Sequence, residues 1–309
     1  MTSHTKTNSP RKHHTVPRTY LESFCIPSTD HVAILDIKTG HIRQQRPDKV
    51  MCRHDYFRQR HAPNGTDEFI FEHAKANRIE ASLKTIINKL IRGSHDLTED
   101  ELITFIQHIE IQRLTVPKQA DIQKAAAKDF ITNIALSIPE VANELLKGTF
   151  EIVIKDEIRF TTLRNIVESG KFFTLISRMI WEIVEAPSGY AFVTSDNPVT
   201  IYNPHMGPTA DAGIGLLGSH VLYPLTPRYC LQLIHPEIES KVSPDYMQPI
   251  EVNAFDLKGV TLRFGTTMSQ DLAYATNLVI ALQAERFLAS NRPDILKTIY
   301  ESLQTGTVK

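Results

Sequence analysis

The chain has 309 residues, 41% of them hydrophobic and 22% charged, and its 34 Lys and Arg balance 35 Asp and Glu to a net charge near −1. That is enough apolar material for a core, in one large domain or two modest ones. So even a balance gives no global field to draw in nucleic acid or an anionic membrane, so any polyanion site has to be a local patch.

The first twelve residues are polar, include Pro10, Arg11 and Lys12, and read as a disordered leader without the apolar core of a signal peptide. A single α+β domain is expected over 13–309. Val32 to Ile37 and His41 to Gln45 flank Thr39-Gly40 and predict a hairpin, and Asn64-Gly65 marks a turn. From about 66 to 186 the period becomes helical. Phe69, Ile79, Leu83, Ile86, Ile87 and Leu90 share helical spacing up to Gly93. Thr98 and Glu101 then have the spacing of a capping box for a helix that ends before Pro117. Lys118 to Ser137 predicts a third helix, and Pro139 opens a short one closed by Gly148. Ile158 to Glu185 reads as one long apolar helix with Gly170 as a weak point.

After Pro187 the texture becomes short β-like runs between Pro- and Gly-rich turns: 190–194, 199–202, 220–225, 228–234 and 260–264. Ser269 caps a predicted helix from Gln270 to Ala289, and another follows from Pro293 to Leu303. Strands at both ends of a helical block predict an α+β fold with a mixed sheet built from N- and C-terminal segments. The large central helical block would pack on that sheet or project from it. A shared sheet would also bring His14 near Asp196.

Two polar knots carry the chemistry. The first is His13-His14-Thr15-Val16-Pro17-Arg18-Thr19-Tyr20. Proline stiffens this segment, and an extended chain would put His14 and Arg18 on one face, a proton carrier beside an anion clamp. The plainer alternative is that the histidines are solvated and Val16, Leu21 and Phe24 anchor the segment. The second knot, Thr194-Ser195-Asp196-Asn197-Pro198, follows an apolar run, where open sheets often place ligands; the same residues also make good turn chemistry. Arg113, one turn beyond Ile109 and Glu110, reads as a structural ion pair or a phosphate clamp. Cys25, Cys52 and Cys230 lack CxxC spacing, which argues against a disulfide scaffold or structural zinc and fits a cytoplasmic protein. No stretch approaches the roughly 18 apolar residues of a membrane span, so no membrane partner is expected. The chain also lacks GxxxxGK[ST], GxGxxG and GxSxG, which disfavours P-loop, dinucleotide and nucleophile-elbow chemistry.

His14-Thr15-Val16-Pro17 followed by Tyr20-Leu21 and Phe24, then Ser195-Asp196-Asn197-Pro198 and Pro224-Leu225-Thr226-Pro227, resembles a bacterial family known as domain of unknown function 4238. Thr15 stands where that family often has an aromatic, and Arg18 where it commonly has glutamine. The resemblance implies that His14, Tyr20, Asp196 and Asn197 belong together, and it implies no settled activity.

The leading functional expectation is a phosphodiester-cleaving enzyme, a nuclease of defence or toxin type acting on RNA or DNA. His14 would serve as general acid or base and Arg18 or Arg113 would steady phosphate charge. Asp196 would orient the histidine or hold a divalent metal, with Asn197, Ser195 and Tyr20 completing the site. The alternative is a non-catalytic ligand- or partner-binding module in which the His and Asp motifs are structural.

Overall fold

A computed structural model describes residues 11–60, 67–93, 97–155, 157–210, 212–240, 245–250 and 260–306. Among these, β1 (Lys12–His14) leads into a helical turn, α1 (Arg18–Leu21), then the hairpin β2 (Val32–Asp36) and β3 (Ile42–Gln45), and β4 (Cys52–His54). The helical block comprises α2 (Ile70–Ala74), α3 (Ala81–Ile91), α4 (Glu99–Thr115), α5 (Pro117–Leu136), α6 (Pro139–Leu146), α7 (Ile158–Ser169) and α8 (Lys171–Arg178). It is followed by β5 (Ile180–Glu185), β6 (Thr194–Ser195), β7 (Thr200–Tyr202), β8 (His220–Pro224), β9 (Tyr229–Ile234), α9 (Pro236–Ser240) and β10 (Thr261–Thr267). Helix α10 (Gln270–Gln283), β11 (Phe287–Ser290) and α11 (Pro293–Thr305) complete the order.

The fold is α+β. A four-stranded sheet, ordered β3-β2-β11-β6, joins the N-terminal hairpin to C-terminal β11. A five-stranded sheet, β10-β5-β9-β8-β7, is antiparallel except for the β10–β5 pair. The expected union of distant segments is real, but it gives two larger sheets instead of one, and His14 belongs to neither. Among the described residues its strand pairs only with β4, as a separate two-stranded ribbon.

Local sequence explains most boundaries. Thr98 Oγ1 accepts from Glu101 N at 3.2 Å while Glu101 Oε2 accepts from Thr98 N at 2.9 Å, so the capping box forms. Ser269 Oγ accepts from Leu272 N and starts α10. Gly40, at φ +73°, makes the left-handed turn of the first hairpin.

Three expectations need correction. The long helix of 158–185 is two helices and a strand. Gly170 breaks it at φ +64°, the indole N–H of Trp181 caps α8 by donating to Ile176 O, and β-branched Ile180, Ile183 and Val184 enter a strand paired on both sides. The last helix stops at Gln283, not Ala289, because residues 287–290 are drawn between β2 and β6. Residues 190–193 are not a strand. Asn277 stands in for a neighbour there, accepting from Val193 N and donating to Ala191 O. The greater part of the leader and the Asn64-Gly65 turn lie outside the described residues, although Lys12 already belongs to β1.

The main core gathers Val16, Tyr20, Leu21 and Phe24 from the N-terminal segment, one face each of α3 and α4, and the inner face of the five-stranded sheet around Trp181. A second cluster lies between the four-stranded sheet and helices α10 and α11. Helices α5 and α6 lie farther out and leave Phe130 and Leu146 largely exposed.

Candidate functional site

The second polar knot sits at the edge strand β6 and continues into the turn that follows. Asp196 is 6% exposed. Its Oδ1 accepts from Glu285 N at 2.9 Å, and its Oδ2 accepts from Arg286 N at 2.8 Å and Phe287 N at 2.9 Å. One carboxylate therefore holds three successive backbone N–H groups between α10 and β11. Burial lifts its pKa to about 6, against the pull of those same N–H donors. Asn197 is buried beside it, donating to Gln283 O at 3.1 Å and accepting from Arg113 Nη1 at 3.4 Å. Ser195 Oγ accepts from Asn197 N, the local bond of a tight turn.

Tyr20 reaches this network from the other end of the chain. Its hydroxyl donates to Pro224 O at 2.6 Å. A phenol has one proton, so at the 2.7 Å contact with Thr194 Oγ1 the threonine is the donor. Burial drives the Tyr20 pKa well upward. Tyr20, Arg113, Ser195, Asp196 and Asn197 are thus brought together, and all are buried.

The side chains of His14 and Arg18 make other contacts. The chain turns at Pro17 and Arg18 opens α1, so the two do not share an extended face. Arg18 is exposed and pairs with Glu22 at 3.1 Å. His14 is half-buried against a π-helical turn, Lys75–Glu80, continuous with α2 and α3. Lys75, 3% exposed, donates to His14 O at 3.3 Å and pairs with Glu80 at 2.8 Å. Burial first, then Lys12, lowers the His14 pKa. Its Nε2 is buried with no hydrogen-bond partner among the described residues. The bonds of His14 run to this turn and those of Asp196 to residues 285–287, and among the described residues no hydrogen bond or ion pair joins the two side chains. A chain of rings extends from the second motif: Tyr20 stacks on Tyr223, whose hydroxyl meets buried His108 Nε2 at 2.8 Å.

His13, which one sequence reading left in solvent, is fully buried. Its Nδ1 accepts from Phe57 N at 2.7 Å and its ring stacks on Phe57. The bond fixes the loop after β4, and that loop forms one wall of a cleft of about 560 Å³. The other walls come from the N-terminal part of α5 and from Ile154, Lys155, Glu157 and Arg159 at the entry to α7. Among the described residues six cations, Arg53, Arg58, Arg60, Lys124, Lys155 and Arg159, line it against Asp55, Asp121 and Glu157. Arg159 lies over the Tyr56 ring, 4.0 Å from its centroid, and donates to Tyr56 O. Arg159 Nε and Asp55 Oδ1 are buried without hydrogen-bond partners among the described residues. Arg53 is tethered to Glu285 at 2.9 Å, so Asp196, by holding the Glu285 backbone, also positions a cation of the cleft. Among the described residues no group of three His, Cys, Asp or Glu is placed to hold a metal ion, and no helix is long and apolar enough to cross a membrane.

A family model described as protein of unknown function (DUF4238) matches residues 12–294. The chain belongs to that family. No curated protein and no solved structure matches it.

Two groups of residues in this DUF4238 chain escaped sequence reasoning. Lys75 and Glu80 sit in an unremarkable polar helix, and only the π-helical turn brings them to His14. The cleft cations come from segments some 100 residues apart with no common motif. The one local hint is the polar run Cys52-Arg53-His54-Asp55.

Proposed function

We propose that this DUF4238 protein is a ligand-binding module whose His and Asp motifs are scaffold, and that its ligand occupies the cleft between the post-β4 loop, α5 and α7. The observation that carries the reading is the state of Asp196. Its carboxylate is consumed by three backbone N–H groups, a structural clamp that leaves it poorly placed to orient His14 or meet a substrate. The buried bonds of Tyr20, Ser195 and Asn197 have the same character. The cleft volume falls in the range of small-molecule sites. The three unpaired cysteine thiols fit a reducing, cytoplasmic setting.

One observation favours the second reading, a phosphodiester-cleaving enzyme centred on His14: the orphaned Nε2 beside Lys75 and Glu80 is the kind of unsatisfied group that catalytic sites retain. Purified wild type, His14→Ala and Asp196→Ala decide between the two. The binding-module reading expects no hydrolysis of RNA or DNA by wild type, with or without added Mg²⁺, and a marked stability loss in Asp196→Ala. Hydrolysis that disappears in a well-folded His14→Ala protein would establish the enzyme.

A further inference from the structure

We infer that the cleft takes a phosphate ester of about nucleotide size, its phosphate gripped by Arg60, Lys155 and Arg159; this rests on the binding-module reading above. Charge is the first argument. Among the described residues the cleft lining holds six Lys and Arg against three carboxylates in a chain whose total is near −1, so the field that the composition withholds globally is present locally. Several of these charges are already committed. Arg58 pairs with Glu68 and Asp55, and Arg53 with Glu285. Arg60 and Lys155 make no ion pair among the described residues and are exposed at the cleft. Arg159 has no carboxylate partner either, and stacking on Tyr56 and Phe160 holds its planar guanidinium in place. A pre-oriented guanidinium suits two phosphate oxygens at once.

Backbone geometry adds a second argument. The first turns of α5 and α7 both line the cleft, and neither helix has a side-chain N-cap bond. Helix N-termini carry partial positive charge, so two at one cleft favour an anion through their dipoles, while their early amides are engaged locally, Gln119 N with Val116 O and Phe160 N with Glu157 O. The third argument is size and hydrogen-bond type. A cleft of about 560 Å³ fits a small molecule or the end of a strand and is too small for a duplex. Asp55 Oδ1, a buried acceptor without a donor among the described residues, gives a use for a hydroxyl group beside the phosphate. A bare oxyanion would leave that capacity unused.

The same chemistry has two sources, a free nucleotide or the 5′-phosphorylated end of a single strand. Isothermal titration of the wild-type protein with 5′-AMP, with a 5′-phosphorylated RNA pentamer and with its unphosphorylated twin separates them, each RNA being checked afterwards for cleavage. The expected result is sub-millimolar binding of at least one phosphorylated probe, weaker at higher salt. An Arg60→Gln/Lys155→Gln variant should lose at least tenfold in affinity. Both changes are on the surface, so the fold should survive, as circular dichroism would verify. Binding of AMP assigns a free nucleotide, and preference for the phosphorylated pentamer over its twin assigns a strand end. No binding of either phosphorylated probe, or equal binding by the variant, overturns the inference and leaves the module reading standing. Cleavage of the RNA would instead overturn the module reading, whatever the affinity.

Discussion

Tyr20→Phe tests the scaffold reading with the smallest possible change. It removes one oxygen and leaves the ring packed against Tyr223 and Phe24. Two buried groups then lose their partner, the Pro224 carbonyl and the Thr194 hydroxyl. A stranded buried polar group costs about 1–3 kcal/mol, and since Thr194 can turn its hydroxyl elsewhere the pair should cost roughly 2–4 kcal/mol in all. Urea unfolding followed by fluorescence measures this, and with a slope of about 3 kcal/mol per molar the midpoint should fall by roughly 1 M. Thr194→Val combined with Tyr20→Phe should cost clearly less than the sum of the single changes, because both break one bond. If Tyr20 were instead a substrate contact on an open surface, Tyr20→Phe would cost less than about 0.5 kcal/mol. A loss that small, or strict additivity with Thr194→Val, refutes the buried network.

Three further outcomes follow from the same geometry. Asp196→Ala strands the N–H groups of residues 285–287 and should cost more than about 3 kcal/mol; hydrogen exchange at those three amides should quicken selectively, and unchanged protection there would rule out the clamp. Burial holds the His108 pKa down at about 3 against an ordinary 6.5, so the stability it contributes is complete above 6.5 and drains away as pH falls toward 3. At about 1.4 kcal/mol per pH, the advantage of wild type over His108→Gln should shrink by about 2 kcal/mol between pH 7 and pH 5, as paired urea titrations would reveal. Gly40→Ala would force a side chain into a left-handed turn and set its Cβ 2.6 Å from the Tyr300 ring. A loss of more than about 2 kcal/mol is expected, partly recovered in a Tyr300→Ala background, and a neutral result would contradict the packing of α11 on the hairpin.

The parts of this fold that could be read from the sequence are those with a local cause. The first hairpin announces itself by alternation around Thr39-Gly40, and α4 by its capping box. Strand β5 is hidden because Ile180 and Trp181 extend the apolar period of α8, and only pairing with β9 and β10 overrides it. Strand β11 is hidden because no Gly or Pro interrupts the chain between Gln283 and Phe287. The association of Tyr20 with Ser195, Asp196 and Asn197 could be anticipated from the family-like motifs. The role of Asp196 could not, because its partners are backbone groups that carry no side-chain signature. Arg159 gave no sign at all: its meaning depends on Tyr56, 103 residues earlier.

The turn at 285–287 has a consequence for how the protein is made. Its backbone is held by Asp196, Glu285 grips Arg53, and Arg286 bonds Asp36 across a separation of 250 residues. On the ribosome, the hairpin β2–β3 emerges early but its neighbour β11 does not yet exist. At about 5–20 residues per second the hairpin waits roughly 12–50 s for it, with one sheet edge unpaired. The clamp at Asp196 waits as well, since its donors are synthesised about 90 residues later. Closure of the four-stranded sheet is thus a late event in biosynthesis, and a nascent chain halted before residue 285 should remain a substrate for chaperones even though most of its helices have already been synthesised.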